Sequence, residues 1–160
     1  MTVLRCGVCV LVVAIVGLVQ IQSAKAQKTG NVSDKERLIG AWHLEHIDPA
    51  GSGGIPGDNP HPKGMLIYTR DGHMSVQLMY PTSAGSLSNQ YVEDGYEASF
   101  GSYDVDEATH TLTHRVQGSN TRDRLVGKDL PRVYTLTDDG HLIIRSANPD
   151  EHWSVSWQHY

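Results

Sequence analysis

The chain of 160 residues holds nine histidines, and they are the first candidates for chemistry. His114 stands out. In "HTLTHRVQ" (110–117), His110, Leu112, His114 and Val116 share one face of an alternating run. An imidazole among apolar neighbours can anchor a ligand by hydrogen bonding, or act as a general acid or base near neutral pH. The same pattern suits a core histidine tied to a tyrosine or carboxylate. Tyr68, Tyr80 and Tyr103 each combine ring area with a hydroxyl that needs a partner when buried. Arg132 opens a strand and can hold a carboxylate bidentately, or form a surface ion pair. Trp157 shares a face with Trp153, Val155 and His159 in the last run of the chain. The candidate ligand-binding set is therefore His114, Tyr103, Tyr68, Arg132, Trp157 and Tyr80. Any catalysis would run through His114.

Other chemistries find little support. His46, His114 and His159 all fall on inward-reading positions, and three imidazoles would suit zinc. However, His43 and His46 lie on opposite faces of their strand. His110 and His114 are about 13 Å apart at ~3.3 Å per residue. No metal and no cofactor is expected. The two cysteines, Cys6 and Cys9, precede the candidate domain, and there is no G-x-S-x-G nucleophile turn. "DVDEAT" (104–109) lacks the glycine and distal glutamate of a calcium loop, which leaves a solvated β-turn. "AGSGGIPG" (50–57) lacks the Lys-Ser/Thr ending of a phosphate cradle.

The elements that must position these side chains follow from periodicity and turn chemistry. Residues 1–26 have the layout of a secretory signal: Arg5, then the apolar run "CGVCVLVVAIVGLVQI", then "SAKA" with small residues at Ala24 and Ala26. The run of about 16 residues is shorter than the ~20 that a membrane-spanning helix needs. Cleavage would leave one domain, 27–160, in an exported (periplasmic or secreted) protein with no cysteine. It would then depend on packing and not on disulfides. The whole chain carries a formal charge of −5. Residues 1–26 contain two of its 13 basic side chains and none of its 18 acidic ones, so the remainder carries −7. An acidic domain without a basic cluster is expected to bind no nucleic acid, and no membrane once the signal is removed.

Ser33 followed by Glu36 forms a capping box that starts a short helix, ended by Gly40. A weaker helical pattern lies in 83–98. Eight strands are expected at 41–48, 63–69, 73–80, 99–106, 110–117, 132–137, 141–147 and 151–160. The third alternates with particular regularity: Met74, Val76, Leu78 and Tyr80 on one face, His73, Ser75, Gln77 and Met79 on the other. In the first strand Trp42, Leu44 and His46 share a face. Most links are hairpins, and none holds a helix long enough for a parallel crossover. The expected fold is all-β: an eight-stranded antiparallel up-and-down barrel with a short N-terminal helix. Such a barrel is either filled by side chains or holds one small ligand.

Three stretches resemble the lipocalin-like domain family: "LIGAWHL" with its Gly40-x-Trp42, "KGMLIYTRDGHMSVQLM" (63–79), and "FGSYDVDEATHTLTHRVQGS" (100–119). The resemblance spans residues 36–145. Thr113 stands where the family has the first of two adjacent histidines, and His114 matches the second. Leu125 stands near a family tryptophan. Where true lipocalins pair the Gly-x-Trp tryptophan with a late arginine, this chain offers His159. The resemblance implies the barrel fold more than a function; the apolar inward faces with their few polar groups lead to the reading of a barrel that binds a small hydrophobic or amphipathic molecule inside. One alternative is an isomerase- or cyclase-type enzyme using His114 with a nearby tyrosine as its acid/base pair. Another is a filled barrel with a structural or interaction role.

Overall fold

The first strand begins where a short helix ends, and one glycine makes the junction possible. The computed structural model describes residues 32–48, 62–80 and 90–160. The chain divides into two units, Met1–Gly30 and Asn31–Tyr160, and all described residues belong to the second. The expected signal segment, most of the loop at 49–62 and residues 81–89 lie outside the described residues. Helix α1 spans Asp34–Leu38, and the Ser33 hydroxyl accepts from the Glu36 amide at 3.2 Å. Only half of the capping box forms. The Glu36 carboxylate is taken instead by Arg70, at 2.7 Å from both oxygens. At the other end the Trp42 indole N–H donates to the Leu38 carbonyl at 2.9 Å, satisfying a helix-end acceptor. Gly40 lies between them at φ +137°, and a Cβ there would sit 2.2 Å from the His159 ring. That contact explains the Gly-x-Trp spacing. The His159 and Trp42 rings are 4.1 Å apart, so the histidine occupies the tryptophan's flank.

The eight strands are β1 (Gly40–Asp48), β2 (Lys63–Tyr68), β3 (His73–Met79), β4 (Tyr96–Asp106), β5 (Thr111–Ser119), β6 (Asp129–Leu136), β7 (His141–Ser146) and β8 (Ser154–His159). Each pairs antiparallel with the next, and β8 pairs with β1 to close the barrel. Closure removes the free edges at which such a sheet would otherwise aggregate. The β2–β3 and β6–β7 hairpins use one device. In the first, the Gly72 amide donates to the Thr69 carbonyl and the Thr69 amide to the His73 carbonyl; Thr137, Gly140 and His141 repeat the pattern. Gly72 and Gly140 both sit at φ +89°, the left-handed conformation that such turns require. Asp106 accepts from the amides of Ala108 and Thr109, a β-turn as expected of "DVDEAT".

Local geometry departs from simple alternation at several places, among them a register shift between β4 and β5 at Phe100/Gly101. A bulge between Leu44 and His46 shifts the β1–β8 register. It turns His46 outward, where it meets Asp48 at 2.8 Å, and Ile47 takes the inward position instead. His110 precedes β5 at φ +51° and is exposed, 3.6 Å from Asp34. His159 is also exposed, so His46, His114 and His159 do not converge. The helical pattern in 83–98 gives no helix over the described residues 90–98. Glu93 and Tyr96 instead bridge across a turn, and β4 begins at Tyr96.

The barrel interior has two layers. Trp42, Tyr68, Met74, Tyr103, Leu112, Tyr134 and Leu142 are all buried and fill the helix end. Burying each such side chain stabilises the fold by roughly 1.5–3 kcal/mol. One turn of alternation further along each strand, the inward residues surround space.

Candidate ligand-binding site

That space is a cavity of about 110 Å³. Its apolar wall comes from Ile47 on β1, Leu66 on β2, Val76 and Leu78 on β3, Val116 on β5, Ile144 on β7, and Val155 and Trp157 on β8. Strand alternation delivers each residue: Val76 and Leu78 continue the inward row of Met74, and Val116 that of Leu112. Into this wall project His114, Ser99, Glu97 and Arg132.

His114 stands at the boundary of the two layers. Its Nε2 lies 2.6 Å from the Tyr68 hydroxyl, which rises from the filled layer below. Burial, helped by the charge of Arg132, pushes the imidazole pKa down to about 3. Burial pushes the Tyr68 phenol well above its ordinary value. At neutral pH, therefore, Tyr68 keeps its proton and His114 is uncharged, and the two share a hydrogen bond whose direction follows the imidazole tautomer. The Tyr68 and Tyr103 rings are 4.7 Å apart, and the Tyr103 hydroxyl donates to the Thr69 carbonyl at 2.9 Å.

Arg132 is the buried cation of the site, 7% exposed. Its guanidinium carbon lies 5.0 Å from the centres of both the Tyr91 and Trp153 rings. This cation–π clamp is worth roughly 0.5–2 kcal/mol per ring. Its Nη1 donates to the Pro131 carbonyl at 3.1 Å. Among the described residues no carboxylate lies within ion-pair distance of it. The two rings are themselves held by Glu151, in the link between β7 and β8, which accepts at 3.0 Å from both the Tyr91 hydroxyl and the Trp153 indole. Desolvation would raise the Glu151 pKa, but hydrogen bonds from Trp153, Ser146, Tyr91 and Asn148 prevail and hold it at about 2. Glu151 thus stays ionised and fixes the clamp.

Glu97 faces the same space from β4, next to Leu78 on the neighbouring strand. The residue is half-buried. Desolvation pushes its pKa up to about 7, against the opposing pull of Arg132. Tyr80 is raised as well, first by burial and then by the nearby Glu97 charge. The Trp157 indole N–H is buried with no hydrogen-bond partner among the described residues.

Of the six residues singled out in the sequence, His114, Arg132, Trp157 and Tyr80 line the cavity. Tyr68 reaches it through His114. Tyr103 lies in the filled layer, with its hydroxyl occupied by Thr69. Sequence reasoning missed Glu97, Tyr91, Glu151 and the clamp role of Trp153. Glu97 was legible: Ser99, Gly101 and Tyr103 share a parity with it, and starting the strand three residues earlier brings it inward. Tyr91 and Glu151 lie in connections and carry no periodic signal.

A family model described as a lipocalin-like domain matches residues 39–159. No curated protein matches the sequence. Among solved structures, the chain is similar to wild-type fluorescent protein UnaG, at 14% identity and a TM-score of 0.42, covering 78% of this chain and 98% of that one. An asparagine-to-alanine variant of UnaG gives 11% identity and a TM-score of 0.43, covering 78% and 97%.

Proposed function

The chain belongs to the lipocalin-like domain family, and from that premise we propose that its barrel binds a small hydrophobic or amphipathic molecule in the interior. The observation that carries this reading is the cavity of about 110 Å³, with apolar walls and a few convergent polar groups. The cavity is smaller than the roughly 150 Å³ of an engineered site that holds benzene, but it is open on one side, through which a ring can enter. A barrel filled throughout by side chains would leave no such space. Catalysis through His114 has less support. A general base works best with a pKa near the operating pH, whereas burial holds this imidazole at about 3 and its Nε2 is already hydrogen-bonded to Tyr68. We propose further that residues 1–26 direct export and are removed, on the strength of their charge, apolar run and small residues before the cut.

Toluene is a suitable neutral probe. Titrated into the labelled protein, it is expected to shift the methyl NMR signals of Val76, Leu78 and Ile144 saturably. Val116→Phe, which fills the space, is expected to abolish the shifts. Shifts that never saturate, or that survive Val116→Phe unchanged, would remove the reading. Intact mass of the protein recovered from outside the cytoplasm of its own host should correspond to residues 27–160; retention of the leader would overturn the export proposal.

A further inference from the structure

The polar groups around the cavity are unbalanced in a way that specifies what they would accept. Arg132 contributes a guanidinium that is more than nine-tenths buried, and among the described residues it has no carboxylate within ion-pair distance. Its charge rests on two ring faces, a hydrogen bond to Tyr91 and one backbone carbonyl. A buried charge without a counter-charge is costly, and proteins almost always pair it. Of the other polar groups at the wall, the His114 imidazole, the Ser99 hydroxyl and the Gln90 amide can donate or accept, and the unpartnered indole N–H of Trp157 only donates. Glu97 is the one carboxyl among them. A buried cation with no paired carboxylate, beside an unpartnered donor, calls for a ligand that brings acceptors and a negative charge.

Resting on the reading of the barrel as an interior binding site, we propose that its ligand is a small monocarboxylate. Its carboxylate is held by Arg132, with Glu97 alongside, and its apolar part, no larger than a single ring or a short branched chain, lies against Val76, Leu78 and Trp157. The size limit follows from the cavity of about 110 Å³, which is smaller than the roughly 150 Å³ of a sealed benzene site but open on one side, so that a single ring is the most it takes. The clamp makes the recognition specific to position. Tyr91 and Trp153, fixed by Glu151, hold the guanidinium plane in place and reduce the side-chain entropy lost on binding.

Glu97 gives this site a pH signature. Below about pH 7 its carboxyl is protonated and donates to the incoming carboxylate; above it, the ionised group repels the ligand and competes for Arg132. The titratable groups that share the cavity do not change state between pH 5.5 and 8.5. Arg132 on β6 stays charged. His114 on β5 stays neutral, and Tyr80 after β3 and Tyr91 before β4 keep their protons. Glu151, behind the rings, stays ionised.

Three compounds of nearly equal shape separate charge from size: benzoate, benzamide and benzamidine. By calorimetry at pH 6, benzoate is expected to bind at least about 10-fold tighter than benzamide, the scale of one charge-assisted hydrogen bond, and benzamidine weakest. Between pH 6 and 8.5 benzoate affinity should fall about 10-fold while that of benzamide stays level, and in Glu97→Gln the fall should vanish. Arg132→Gln should remove the preference for benzoate. Should that variant fail to fold, the wild-type series and its pH profile still decide. Benzamide or benzamidine binding as tightly as benzoate would overturn the proposal and leave interior binding standing, as would toluene binding with none of the three. If toluene also fails, both readings fall.

Discussion

Replacing Glu97 with glutamine should stabilise the protein at alkaline pH and leave it unchanged in acid. The folded barrel raises the Glu97 pKa from 4.5 to about 7, chiefly by desolvation, with Arg132 opposing. At about 1.36 kcal/mol per unit, the ionised carboxylate costs the folded state about 3 kcal/mol. The sign follows from where protons bind. Below pH 4.5 both folded and unfolded chains carry the proton and nothing is lost. Between 4.5 and 7 the unfolded chain ionises first and stability declines. Above 7 the full cost is in place. A glutamine amide at this position would approximate the neutral acid without ever ionising. The Glu97→Gln variant should therefore match the wild type at pH 4 and exceed it by about 3 kcal/mol at pH 8.5. On a domain of this size that is about 10 °C in Tm. Urea unfolding followed by tryptophan fluorescence at the two pH values measures the difference. The opposite result, a variant less stable than wild type at pH 8.5, would mean that ionised Glu97 pairs with Arg132, and the desolvation argument would be wrong.

Other consequences are equally specific. The His114 imidazole, held at about 3 by burial and the charge of Arg132, should show ring NMR signals that do not titrate between pH 8 and 5. Because its folded pKa lies below the unfolded value of 6.5, it contributes a loss of stability as pH falls from 6.5 toward 3, reaching about 5 kcal/mol; a normal titration near 6.5 would refute this placement. Tyr68→Phe strips His114 of its 2.6 Å partner and should cost about 1–3 kcal/mol in chemical unfolding. Gly40→Ala introduces a Cβ 2.2 Å from the His159 ring at an unfavourable φ. It should cost at least about 2 kcal/mol, and His159→Ala should recover part of that; equal losses in single and double variants would count against the clash.

How much of this could be read in the sequence depends on whether one local period governs a residue. Alternation places Met74, Val76, Leu78 and Tyr80 correctly because a strand with one dry face must alternate. Leu112, His114 and Val116 follow the same rule. For His46 the rule fails because a bulge inserts one residue, and after it every side chain changes face. No residue type at Glu45 announces that bulge. For His110 it fails because the residue belongs to a turn in left-handed conformation and not to the strand that follows. The question of whether the dry side meets a solid core or a hole has both answers. Alternation gives direction but not height, and only the strand stagger of the barrel separates the filled layer at Tyr68 and Tyr103 from the open one at Val76 and Trp157. The clamp on Arg132 depends on contacts across about 60 residues of sequence, between Tyr91 and Glu151, and no local pattern encodes them.

The central claim is that the open layer of the barrel is a binding site for a small carboxylate, and a crystal structure grown at saturating benzoate tests it most directly. The account predicts one benzoate inside, with its carboxylate on Arg132 and its ring between Val76, Leu78 and Trp157. Benzoate confined to the outer face, or a cavity closed by a direct Arg132–Glu97 pair, would contradict it.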